Sequence, residues 1–222
     1  MDEQTEMNPH FPMINEQAPD FTAQTTHGEI TLSKITSEGK WVVLFSHPSD
    51  FTPVCTTEFV AFSQIYNEFV KRNVQLIGLS IDSIYSHLGW IRSIEQNFKI
   101  KVPFPVIADL SMKVANLYGM VHPGASTTAA VRAVFFIDPK RNVRAILYYP
   151  LTSGRNMEEI IRLIDSLQIV DKAGVATPAN WKPGEKVIIP APTDVKAMEL
   201  RLQMGECKEI EMIDWYLSKK SV

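Results

Sequence analysis

Residues 41–59 read WVVLFSHPSDFTPVCTTEF, and the fold turns on how this stretch changes character midway. Trp41 to Ser46 is a short run of apolar, β-prone residues, which predicts a buried strand. A helix should follow the turn. Thr52 suits the N-cap and Pro53 the first helical position, where a missing N–H costs nothing; Phe59, Phe62, Ile65, Tyr66 and Phe69 then recur at helical spacing. Cys55 falls at the third helical position. Unpaired backbone N–H groups and the positive end of the helix dipole favour an anion there, which biases a cysteine towards its thiolate. A buried structural thiol is the competing reading, because free cysteine is among the most buried residue types. A redox dithiol is excluded, since Cys55-Thr56-Thr57-Glu58 carries glutamate where the second thiol would stand.

Outward from this segment, strands are expected at Glu29–Leu32, Val74–Ile81, Val106–Ala108, Ala133–Ile137 and Val143–Tyr149. Helices are expected at Thr52–Lys71, Ser83–Phe98, Met112–Tyr118 and Asn156–Gln168. Asp138-Pro139-Lys140-Arg141-Asn142 makes a turn between two of the strands. Strands separated by helical segments imply an α/β sandwich with a mixed sheet. Near residue 170 the pattern breaks. Pro178, Pro183, Pro190 and Pro192 interrupt any long element, and Trp181, Val187, Ile188 and Ile189 are apolar with no evident core of their own. A helical segment runs from about Asp194 to Met204. The division expected is a domain over 1–169 and a C-terminal arm over 170–222 that docks on another surface; a disordered tail is the alternative.

Composition closes off several function classes. The 222 residues carry a formal net charge of −3, and the pairs Lys71-Arg72 and Lys219-Lys220 are too small for a nucleic-acid surface. No stretch approaches the roughly twenty apolar residues of a membrane span, and the acidic start Met1-Asp2-Glu3 lacks the features of a secretory signal. Two cysteines cannot build a disulfide framework, so a reducing, cytoplasmic setting is expected. His10, His27, His47, His87 and His122 form no ligand spacing, and no Gly-rich phosphate loop occurs; neither metal nor cofactor is expected.

Pro48, Thr52 and Cys55 form a Pro-x-x-x-Thr-x-x-Cys motif, with Glu58 at a further matching position, and here the chain resembles the peroxiredoxins. It is most similar to their one-cysteine, peroxiredoxin-6-like branch, especially archaeal and bacterial thioredoxin peroxidases with a long C-terminal arm. The resemblance runs through Arg132 and Ala133-Val134-Phe135-Phe136-Ile137-Asp138-Pro139, Tyr149-Pro150, Gly154-Arg155-Asn156 and Ala176-Thr177-Pro178-Ala179-Asn180-Trp181. It implies a thioredoxin fold with an extended arm, and a thiol-dependent, antioxidant reductase of hydrogen peroxide and alkyl hydroperoxides acting through a Cys55 sulfenic acid. It also implies a thioredoxin-like or small-thiol reductant, and a homodimer assembled to a decamer through the arm.

The same resemblance assigns roles by residue. The Thr52 hydroxyl and the N–H groups around Val54 and Cys55 bind the peroxide, Pro48 shields the pocket, and Arg132 is the catalytic arginine. Arg155 helps to order the site and Glu58 orients an arginine. Taken singly, Arg132 also fits a surface salt bridge, Arg155 a solvated helix start, and Glu58 an exposed helix carboxylate. His47 reads either as tuning the thiolate and lining the pocket or as a packing histidine.

Acidity alone does not explain a fast peroxidase. Lowering a thiol pKa from about 8.5 to about 6 raises the thiolate fraction at pH 7 roughly thirty-fold, but the same shift costs about ten-fold in nucleophilicity. The rest must come from donors aimed at the departing oxygen, each worth about 10²–10³ in rate.

Three further expectations follow. A holdase ring is a secondary alternative. Lipid hydrolysis is disfavoured, because Ser37-Glu38-Gly39-Lys40-Trp41 offers no nucleophile elbow. Long-arm archaeal relatives carry cysteines around an Asp-Trp pair where this chain has Met212 and Ser218 about Asp214-Trp215; Cys207 is the remaining candidate to resolve Cys55, with a passive thiol as the alternative.

Overall fold

The computed structural model describes residues 11–204 and 210–222, and the chain divides into two compact units, Met1–Met157 and Glu158–Val222. In the first unit, seven strands make one mixed sheet. They are β1 (Thr22–Thr25), β2 (Gly28–Thr31), β3 (Trp41–Ser46), β4 (Val74–Ser80), β5 (Val106–Ala108), β6 (Arg132–Ile137) and β7 (Val143–Tyr149), in the order β2-β1-β5-β4-β3-β6-β7. β3, β4 and β5 run parallel, while β1, β6 and β7 pair antiparallel with their neighbours.

Central β3 is buried along its whole length, as its unbroken apolar run requires. Alternation still sorts its side chains. Val42 and Leu44 join a core with Ile77, Leu79, Ile107, Phe135 and Tyr118. On β3 and the elements around it a second, aromatic core forms: Phe45 stacks on Phe62 at 4.4 Å and meets Phe59 and Phe104 edge-on at 5.6 and 5.7 Å. Gly78 of β4 makes this closure feasible, because a Cβ there would stand 3.2 Å from the Phe45 ring and 3.4 Å from that of Phe59.

The helices of this unit are α1 (Leu32–Ser37), α2 (Pro53–Gln64), α3 (Tyr66–Lys71), α4 (Ile84–Phe98) and α5 (Lys113–Leu117). The single helix expected over Thr52–Lys71 is two. Ile65, at φ −101° and ψ 9°, ends α2 and starts α3, yet Phe62 and Phe69 on either side stay buried. An apolar stripe that survives the break gives the sequence no sign of it. β1 and α1 were also not legible; Thr22-Ala23-Gln24-Thr25 is a largely exposed strand without apolar alternation.

The second unit holds α6 (Met157–Ala173) from its second residue onward, β8 (Val187–Ile189), α7 (Val195–Gln203), β9 (Ile210–Asp214) and β10 (Leu217–Lys220). The three strands form an antiparallel sheet in the order β8-β10-β9. Trp181 and Val187, expected to lack a core, bury with Val175 against Ile169 and Ala173. Met212 and Ser218 face each other across β9 and β10. Cys207 lies outside the described residues.

Candidate active site

The chain leaves β3 at Ser46, turns through His47–Thr52 and enters α2 at Pro53. Thr52 occupies the N-cap with extended φ/ψ of −107° and 150°, but its hydroxyl donates to the Ser49 carbonyl at 2.8 Å instead of capping the helix. The first helical bond runs from Thr56 N–H to the Thr52 carbonyl, so the N–H groups of Val54 and Cys55 lie at the open helix end. Cys55 is fully buried.

Arg132, the first residue of β6, brings its guanidinium across to the thiol. Nη1 lies 3.3 Å from Cys55 Sγ and donates to Glu58 Oε2 at 2.7 Å, while Nε and Nη2 both donate to the Leu151 carbonyl at 3.0 and 2.7 Å. The fork is thereby fixed on three sides. Glu58, one turn past Cys55 on α2, is only 2% exposed and is shared with a second arginine. Arg155 donates to it from its backbone N–H, Nε and Nη2 at 2.9, 2.9 and 2.6 Å, and from Nη1 to the carbonyls of Ser46 and Ala133. Its guanidinium also lies 5.0 Å from the Phe45 ring centroid.

Burial opposes the charge on Glu58, but the Arg155 charge and hydrogen bonds, joined by Arg132, outweigh it and hold the carboxyl below its usual range. Burial likewise lowers Arg155, against the pull of Glu58. Glu58 and Arg155 therefore sit in neither the exposed nor the solvated setting that each residue alone also fitted.

His47 is buried, with Nε2 2.9 Å from Asp50 Oδ1 and its ring 4.8 Å from that of Phe59. The other Asp50 oxygen lies 2.8 Å from Nδ1 of His87 on α4, whose Nε2 is 3.1 Å from the Ile107 carbonyl. Sequence reading missed Asp50 and His87. Asp50 stands three residues from His47, which is a weak local hint, but His87 comes from 37 positions beyond Asp50 and gives none. Among the described residues, His47, Asp50 and His87 alone cluster as a metal site would require, their ligand atoms within 4.8 Å. Those atoms are already engaged in hydrogen bonds with one another.

A groove of about 460 Å³, lined among others by Phe51, Thr52, Pro53, Thr56, Trp90 and Phe98, borders the helix start. A thiol held by an arginine at an open helix N-terminus, with a hydroxyl nearby, can attack an electrophilic oxygen and stabilise the anion that leaves. Fold and site together define a thiol-based oxidoreductase on a mixed α/β sheet.

The comparisons with known proteins narrow that class. Residues 14–146 match the AhpC/TSA family and residues 166–203 the C-terminal domain of 1-Cys peroxiredoxin. A peroxiredoxin of Aquifex aeolicus is 54% identical, with 96% of this chain and 98% of that protein covered. Peroxiredoxin 2 of Caldanaerobacter subterraneus is 56% identical, covering 96% and 94%. Among solved structures, a yeast mitochondrial 1-Cys peroxiredoxin superposes with a TM-score of 0.81 at 43% identity, over 95% of this chain and 99% of that one. A mutant of the peroxiredoxin 6 of Arenicola marina gives 0.82 at 34%, over 94% and 97%. The chain belongs to the AhpC/TSA family and is a peroxiredoxin, a thiol peroxidase of thioredoxin fold with a C-terminal extension. No helix among the described residues is long and apolar enough to cross a membrane.

Proposed function

We propose that Cys55 is the peroxidatic residue and that it reduces hydrogen peroxide and alkyl hydroperoxides through a sulfenic acid. The thiolate attacks one peroxide oxygen, the O–O bond breaks, and the other oxygen departs as hydroxide or alkoxide and takes up a proton. The observation that carries this reading is Arg132 Nη1 at 3.3 Å from Cys55 Sγ, at the open end of α2.

With Glu58 ionised, the two arginines leave one surplus positive charge, which a Cys55 thiolate neutralises. The N–H groups of Val54 and Cys55 face the departing oxygen, the Thr52 hydroxyl accepts from the peroxide O–H, and Pro48 covers the sulfur. Arg155 and Glu58 hold Arg132 in place, and His47 supports the loop through Asp50. The groove beside Thr52 gives the alkyl part of an organic hydroperoxide an apolar surface.

Cys55→Ser keeps the side-chain size and removes the thiolate. Stopped-flow consumption of hydrogen peroxide should then fall to the uncatalysed rate with the fold retained, and a variant holding most of the wild-type rate would overturn the assignment.

A thioredoxin-like or small thiol returns Cys55 to the reduced state, and Cys207, on the arm over 170–222, is the internal candidate for resolution. The arm serves dimerisation, and five dimers close into a ring. Light scattering should give at least a dimer, and a stable species near the chain mass of 25.1 kDa would exclude it.

A further inference from the structure

The loop between β3 and α2 holds a backbone conformation that its sequence does not favour. Phe51, immediately before Thr52, sits at φ 55°, the left-handed region that a bulky L-residue avoids. Its own ring contributes little restraint, being 61% exposed. The restraint comes from the preceding residue. Asp50 donates its N–H to Asp82 Oδ2 at 3.0 Å, and its buried carboxylate lies between His47 and His87. Ser49 and Ser80 hold Asp82 in turn.

Counting donors fixes the protons in this cluster. A carboxylate and a carbonyl only accept hydrogen bonds, and His87 presents Nδ1 to one and Nε2 to the other. Both contacts are satisfied together only if both nitrogens carry hydrogen, or if Asp50 itself is protonated. The Asp50–His87 pair therefore holds one proton more than a carboxylate plus a neutral imidazole. His47 needs no such surplus. Its Nε2 donates to Asp50, and its buried Nδ1 has no partner among the described residues, so one hydrogen suffices. Burial accordingly pushes His47 towards the neutral form. Burial works against the Asp50 charge, but the hydrogen bonds from His47 and His87 hold its carboxyl down to about 2. With Asp50 accepting from both rings, the hydrogen count leaves His87 with an N–H on each nitrogen.

We propose that His87 is a positioning residue of the peroxidase reaction: doubly protonated, it clamps Asp50 and so fixes the Pro48–Thr52 loop that sets Thr52 and the α2 N-terminus against the peroxide. The proposal rests on the reading of Cys55 as the peroxidatic residue. The groups that face His87 are Asp50 and His47 from the loop, the latter with ring centroids 6.1 Å apart, and the Ile107 backbone from β5; Asp82 reaches it only through the Asp50 amide. Removing the surplus proton would leave one N–H for two acceptors, setting either the Asp50 carboxylate or the Ile107 carbonyl against an unprotonated nitrogen with no solvent to relieve it, because His87 is fully buried. Asp50 would then let go, Phe51 would relax, and Thr52 would lose its place.

Two measurements test this. His87→Gln offers one amide donor and one acceptor in place of two donors. It should slow hydrogen peroxide reduction about tenfold in stopped flow while Cys55 alkylation by iodoacetamide is not slowed, because the thiolate persists and only the peroxide geometry is lost. A fall in the peroxide rate below threefold, or equal falls in both rates, overturns the proposal. The second measurement needs no variant to be active: ¹⁵N spectra of histidine-labelled wild-type protein at pH 7 should show both His87 ring nitrogens protonated, and one nitrogen of the unprotonated type overturns it. That reading stands whether or not Cys55→Ser abolishes activity, so failure of the clamp and failure of the peroxidase assignment are told apart.

Discussion

Two carboxylates flank the catalytic turn, and each is buried between two bases, but the bases differ. Glu58 lies between the guanidiniums of Arg132 and Arg155, whereas Asp50 lies between the imidazoles of His47 and His87. Arginine is charged at any working pH, so the first cluster keeps a surplus cation that a thiolate can neutralise. In the second cluster burial pushes His47 towards the neutral form, so the Asp50 carboxylate and a His87 bearing both ring hydrogens sum to zero and leave no surplus charge. The same local device, a shared carboxylate, yields a net positive field beside the sulfur and a charge-balanced clamp at the loop.

The contrast is broken most severely at Arg155. Its guanidinium satisfies Glu58 and two buried carbonyls at once, so Arg155→Met leaves Glu58 with Arg132 alone and strands two acceptors away from water. Stability should fall by about 3–5 kcal/mol, read as a lower urea midpoint with an unchanged slope. A loss under about 1 kcal/mol would mean that the cluster relaxes or hydrates on demand.

Arg132→Met should act on rate instead. It deletes the guanidinium that touches both Cys55 and Glu58, and peroxide reduction should slow by at least about a hundred-fold, equivalent to about 2.7 kcal/mol of transition-state stabilisation. A variant with the wild-type rate would remove arginine from the chemistry.

Acid should expose the histidine cluster. Asp50 is held down to about 2 from 3.8, a depressed carboxyl, so its contribution is present above pH 4 and is lost as pH falls through the folded value. That contribution is roughly 2 kcal/mol. His47 acts with the same sign at higher pH: burial lowers its folded pKa below 6.5, so the unfolded chain takes up the proton first and stability declines as pH falls past that value. Urea melts at pH 7, 5 and 3 should show a progressive decline, with the step below pH 4 reduced in Asp50→Asn. A flat profile would show that neither group is coupled to folding.

Part of this arrangement was legible before any fold was known. The strand at Trp41–Ser46, the helix start at Pro53 and the third-position cysteine follow from apolar run length, proline placement and turn chemistry, all of which act within a few residues. Met112–Tyr118 and Ser83–Phe98 were legible for the same reason, and Ser83 does cap α4 through its side chain. The Ile65 break was not, because it changes backbone angles and leaves the buried stripe in place.

The site divides along the same line. Sequence by itself determined that Cys55 would stand at a helix N-terminus, and the motif it belongs to determined the family. Tertiary structure alone decided that Arg132 and Arg155 share Glu58, and that Asp50 joins His47 to a histidine on another helix. The physical reason is reach. Helix and strand periodicity are enforced by neighbours along the chain, whereas the energy of a buried charge depends on which distant groups the sheet order brings within hydrogen-bond distance.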